Sequence, residues 1–117
     1  INNEEICLPI IPEEESSNHA MHLFNIGLPE YINRDKFLEK ANEQYETLFA
    51  IHYNSIPSFT IYKNLNIFDN ANELIVSNNW GKRNISLSLS AAVTESEIEK
   101  SIKVLKILLN DPDVRNI

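Results

Sequence analysis

Residues 17–28 read SNHAMHLFNIGL. In an extended chain Phe24, Ile26 and Leu28 fall on one side and Met21 and Leu23 on the other, because strand side chains alternate with period two. A strand apolar on both sides is predicted to lie in the middle of a sheet, and the rest of the chain must supply its neighbours. Gly27 lets the chain leave the strand. Pro29 cannot donate to a ladder and ends it.

The remaining patterns supply those neighbours. In RNISLSLS, residues 83–90, Ile85, Leu87 and Leu89 alternate with Ser86, Ser88 and Ser90, which predicts a half-buried strand with one wet face. ETLFAI, residues 46–51, predicts another strand. Asn33 is a good helix N-cap, and Phe37, Leu38, Ala41 and Tyr45 follow it as one apolar face at helical spacing. A short helix is predicted over 69–78, with Ala71, Leu74 and Ile75 inward and a break at Trp80-Gly81. The last helix is specified best. Thr94 and Glu97 form a T-x-x-E capping box, and Val93 and Ile98 are placed as a hydrophobic staple. Glu95, Glu97 and Glu99 open the helix and Lys100, Lys103 and Lys106 follow, matching the macrodipole. Ile98, Ile102, Leu105 and Leu109 make its buried stripe, and Pro112 prevents continuation.

The element order predicts an α+β fold, a small, mainly antiparallel sheet of about three strands with helices packed on one face. Residues 1–16 are expected to be a solvated lead-in containing Pro9, Pro12 and the acids Glu13 to Glu15, and 17–117 a single domain. The chain begins at Ile1 without a methionine, which suggests a piece of something longer.

Several function classes are disfavoured. A net charge of -7 repels the phosphates of nucleic acid. No apolar run approaches the ~20 residues of a membrane span. The first residues carry Glu4 and Glu5 instead of the basic start of a signal peptide, so a cytoplasmic location is expected. Cys7 is the only cysteine, so no internal disulfide can form. His19 and His22, at an odd spacing on a strand, point to opposite faces and cannot share one metal ion. Gly27 and Gly81 are the only glycines, too few for a phosphate-cradling loop. No serine sits in a nucleophile elbow.

The best candidate site is His52-Tyr53, where a strand feeds the long aromatic stretch HYNSIPSFTIYKNLN, residues 52–66. Functional side chains collect where scaffolds feed loops. Imidazole and phenol can hydrogen-bond phosphate or sugar oxygens, and Tyr53 adds a stacking face.

These segments resemble, in order, motifs of the DegT/DnrJ-type sugar-nucleotide aminotransferases. IPEEESSNHAMHLFNI is similar to their N-x-H segment, with Asn18 and His19 at the signature positions. RDKFLEKANEQ resembles the helix that follows, and HYNSIP the H-Y-x-P-L-H turn. NANELIVSNNWGKRNISLSLSAAVTESEIEKSI resembles the closing N-A-E…S-L-P-L-S…T-E-x-E-I-E-x-V-I segment. Within the family, the run after the N-x-H looks most like the dTDP-4-oxo-6-deoxy-D-glucose transaminase branch. Ser88 stands where that pattern has proline, NNWGKRN resembles an insertion, and the family's glycine near Gln44-Tyr45 is missing.

The resemblance implies the C-terminal small domain of a fold-type I pyridoxal phosphate (PLP) enzyme. It implies an amino transfer from glutamate to a keto sugar nucleotide, in a parent protein that is a homodimer. Asn18, His19, His52 and Tyr53 would bind the nucleotide sugar. PLP would be held by residues outside this chain, and no catalytic residue lies within it. RNISLSLSAAVTESEIEK is also similar to the R-I-R-x-S-L-S-A-A-H-T segment of the α-oxoamine synthases, another PLP family, with Val93 in place of the histidine. A non-enzymatic module that binds a sugar nucleotide or a partner is the remaining alternative.

Overall fold

A computed structural model describes residues 5–15, 18–20, 22–65 and 74–116. The fold is α+β. Strand β1 (Phe24–Gly27) pairs antiparallel with β2 (Asn84–Leu87), in the register Phe24–Leu87, Asn25–Ser86, Ile26–Ile85 and Gly27–Asn84. Single bridges extend this two-stranded sheet at each edge, Cys7 against Gly27 and Ala50 against Ser86. The helices are α1 (Arg34–Tyr45), α2 (Thr60–Asn64), α3 (Ile75–Arg83) and α4 (Glu95–Leu109).

The central strand is shorter than its apolar run suggests. Only Phe24–Gly27 forms a ladder; Ser17 and Met21 lie outside the described residues. The strand predicted over 46–51 reduces to the Ala50 bridge. The backbone of this segment is engaged elsewhere. Thr47 N donates to Ala41 O (3.1 Å) at the end of α1. The Asn42 side chain takes both backbone groups of Phe49, accepting from its N at 3.1 Å and donating to its O at 2.9 Å. A ladder has no use of groups already bonded in this way.

The core lies between the Ile26–Ile85 face of the sheet and the helices α1 and α4, with Phe37, Ala41, Leu105 and Leu108 buried against that pair. Asn33 caps α1 through its side chain, accepting from Lys36 N (3.1 Å). Leu38 and Tyr45 flank the core, as their helical spacing predicts. The capping box of α4 forms in full: Glu97 N donates to Thr94 Oγ1 (3.3 Å), and Thr94 N to Glu97 Oε2 (2.7 Å). Hydrogen bonds to its carboxylate from the Thr94 backbone N–H and then from the Thr94 hydroxyl (2.8 Å) hold the Glu97 carboxyl below its ordinary pKa. The buried stripe of α4 sits further along the helix than predicted. Val104, Leu105, Leu108 and Leu109 are buried, whereas Ile98 is half exposed. Ile98 and Val93 instead border an open apolar hollow of about 510 Å³ with Phe24, Leu48 and Leu87.

Four further expectations are corrected. Trp80 and Gly81 do not break a helix but lie within α3, and Ile75 faces solvent instead of the core, while residues 69–73 of the predicted helix, Ala71 among them, lie outside the described residues. Gly81 is needed for close approach, since a Cβ there would stand 2.6 Å from Ser55 N. Residues 52–66 are not one irregular loop. They contain a 3-10 turn at Ile56–Ser58 and the short helix α2, while Asn66 lies outside the described residues. Ser86 is not on a wet face; it is 3% exposed, for reasons that belong to the site.

After α4, a 3-10 turn at Pro112–Val114 folds back on α1, where Lys40 Nζ meets Asp111 Oδ2 and Asp113 Oδ2 at 2.8 Å each. The hydrogen bonds that Lys40 donates to Asp111 and then to Asp113 raise the Lys40 pKa, and the Asp111 carboxyl is lowered by the same lysine.

Candidate functional site

Strand register builds the site. Asn25 and Ser86 are direct partners across β1 and β2, and alternation turns their side chains away from the face that carries Ile26 and Ile85. Ser86 is held by its own backbone as well, since its N and O both bond to Ala50 (2.8 and 3.1 Å). Two residues after Ala50 the chain brings His52 over this polar pair. His52 Nδ1 lies 2.9 Å from Ser86 Oγ. Ser86 Oγ donates to Asn25 Oδ1, and Asn25 Nδ2 donates to the His52 carbonyl at 2.8 Å. A ring of contacts thus covers Ser86 and explains its burial.

Tyr53 is held in the same manner. Asn84 Nδ2 donates to the carbonyls of Tyr53 and Trp80, each at 3.0 Å. The His52-Tyr53 peptide is cis. The two rings meet edge-on, with centroids 5.2 Å apart at 86°. His52 is half-buried, while Tyr53 is 70% exposed. Beyond the pair, Ser55 Oγ donates to Asn78 Oδ1 (2.7 Å) and Ser55 O accepts from Ser58 Oγ (2.6 Å), so the chain that leaves the site is tied to α3.

Of the residues singled out in the sequence, His52 and Tyr53 therefore sit together at a built position. Asn18 and His19 are exposed, upstream of β1. The contacts that fix the His52-Tyr53 pair come from Asn25, Ser86 and Asn84, which sequence reasoning did not select. Asn25 carried a signal, as a lone amide inside the apolar run LFNIGL. Ser86 carried none, because alternation alone assigned it to solvent.

Two hollows of the fold are lined by neither His52 nor Tyr53. One is the apolar hollow beside α4. The other, about 390 Å³, is polar and lies between Arg34, Lys82 and Arg83, with Glu30 and Asp35 as counter-charges. Cys7 is exposed and accepts from Arg83 Nη2 at 3.3 Å. Among the described residues no cluster of three or more His, Cys, Asp or Glu could hold a metal ion. None of the described helices is long and apolar enough to cross a membrane. Lys36, Lys63, Lys82, Lys100, Lys103 and Lys106 are exposed, and Lys40 is paired with two aspartates. A lysine that forms a Schiff base needs a setting that strips its charge, and none of these has one.

The sequence model of the DegT/DnrJ/EryC1/StrS aminotransferase family matches residues 2–106. No curated protein matches the chain.

Proposed function

Since the chain belongs to the DegT/DnrJ/EryC1/StrS aminotransferase family, we propose that it is the C-terminal small domain of a PLP-dependent enzyme acting on a nucleotide-linked keto sugar. The substrate class is that of dTDP-4-oxo-6-deoxyglucose, and the amino donor is glutamate. His52 and Tyr53, with Asn18 and His19, contact the nucleotide sugar. The parent protein is a cytoplasmic homodimer.

One observation supports the site above the others. The carbonyls of both His52 and Tyr53 are anchored by buried or half-buried amides, while the Tyr53 ring is left exposed. An aromatic ring with a fixed backbone and a free face suits a sugar or base ring laid against it. The pair lies on open surface instead of in a hollow, which fits a site completed by a second body. The lysines of this chain are exposed or paired with aspartates and do not fit PLP, so the cofactor belongs with residues outside this chain.

The two half-reactions test this proposal. His52→Ala is expected to weaken nucleotide-sugar binding by roughly tenfold, about 1.4 kcal/mol, the upper part of what a hydrogen bond contributes net. The half-reaction with glutamate, which carries no nucleotide, should be unchanged. Equal slowing of both half-reactions would overturn the assignment.

A further inference from the structure

We propose that Ser86 and Asn25 are positioning residues that hold neutral His52 as its Nδ1–H tautomer, so that Nε2 meets the ligand as a hydrogen-bond acceptor. The group it takes is then a sugar hydroxyl and not a phosphate oxygen. The ligand half of this statement rests on the proposed function; the tautomer half stands without it.

The His52 carbonyl can only accept, and Asn25 Nδ2 lies 2.8 Å from it. This fixes the Asn25 amide, because turning it over would set two acceptor oxygens against each other. Asn25 Oδ1 then faces Ser86 Oγ and can only accept, so the single hydroxyl proton of Ser86 goes to Asn25. Ser86 Oγ is left with lone pairs. His52 Nδ1, 2.9 Å away, must supply the proton of that contact.

A neutral imidazole has one N–H, so with the proton on Nδ1 the lone pair is on Nε2. Burial closes the alternatives. Ser86 is 3% exposed, so water does not compete for its hydroxyl, and its backbone is pinned on both sides by Ala50. Nε2 itself makes no hydrogen bond among the described residues. An acceptor in that position pairs with an O–H. Ionised phosphate oxygens are acceptors too, and a lone pair set against them gains nothing.

The test is a long-range proton–nitrogen correlation spectrum of imidazole-¹⁵N-labelled protein, taken where His52 is neutral, with His52→Gln to assign the signal among the three histidines. The expected pattern has Nδ1 protonated and Nε2 bare. Ser86→Ala should let both tautomers exchange, and Ser86→Thr, which keeps a hydroxyl, should restore the single one. A protonated Nε2 in the unaltered protein overturns the relay, a result that stands even if a variant fails to fold. An unchanged pattern in folded Ser86→Ala overturns it as well.

Two probes then test the ligand in the full-length parent, where the second body completes the site and His52→Gln again assigns the signal. dTDP-glucose should shift the Nε2 resonance and dTDP alone should leave it in place. Equal shifts with both probes overturn the hydroxyl assignment. A silent Nε2 with both probes overturns the proposed function and the acceptor role with it, while the tautomer result is read separately.

Discussion

Asn25, Ser86 and Asn84 are small polar residues inside strands, and each is fixed by what it bonds. Gly81 is fixed by what it lacks. Its missing Cβ would lie 2.6 Å from Ser55 N and 3.0 Å from Ser55 Cβ, and the first of these is backbone that cannot swing aside. Gly81→Ala gains up to about 1 kcal/mol of helix propensity and meets an overpacking cost of about 1–3 kcal/mol. The expected result is a net loss of about 1–2 kcal/mol in urea unfolding, with the Ser55–Asn78 hydrogen bond displaced. A variant as stable as the original would show that the contact relaxes freely. At this scale the sequence exposed half of the site. A histidine and a tyrosine ahead of an aromatic stretch announce themselves by side-chain chemistry. Ser86 and Asn84 do not, because their roles depend on which residue the register sets opposite them.

The helices were legible where they carry their own signals. Asn33 and the Thr94–Glu97 box are local hydrogen-bonding devices, and both cap as their residue types dictate. The segment from 46 to 51 departs from its sequence pattern for the opposite reason. β-forming residues such as Thr47 and Phe49 suggest a strand, but Asn42 and Ala41 reach from α1 and take their backbone groups first. The turn that permits this has Glu46 in the left-handed region, at φ 53° and ψ 40°, as the C-cap of α1. Glycine is the usual residue in such a position. An ordinary side chain there costs roughly 1–2 kcal/mol, and the added freedom of glycine in the unfolded chain costs about 0.5–1 kcal/mol. Glu46→Gly should therefore raise stability by about 0.5–1 kcal/mol, seen as a higher denaturant midpoint with unchanged slope. A lower midpoint would mean that the Glu46 side chain contributes more than its backbone costs.

Across the whole molecule, the α+β class followed from the alternation of periods two and 3.6 along the chain, and it is the class observed. Sheet size did not follow, since apolar runs do not say how many of their residues ladder. The start of α4 is a related case: its apolar spacing begins at Ile98, but the turn bearing Ile98 overhangs an open hollow and only the later turns reach the core. The central claim is that the His52-Tyr53 edge, and neither hollow, receives the nucleotide sugar. A structure of the full-length aminotransferase with a nucleotide sugar bound tests this most directly. The account predicts a sugar hydroxyl within ~2.7–3.2 Å of His52 Nε2 and the Tyr53 ring against the ligand. A ligand seated between Arg34 and Arg83, or beside Ile98, with His52 Nε2 facing only water, would contradict it.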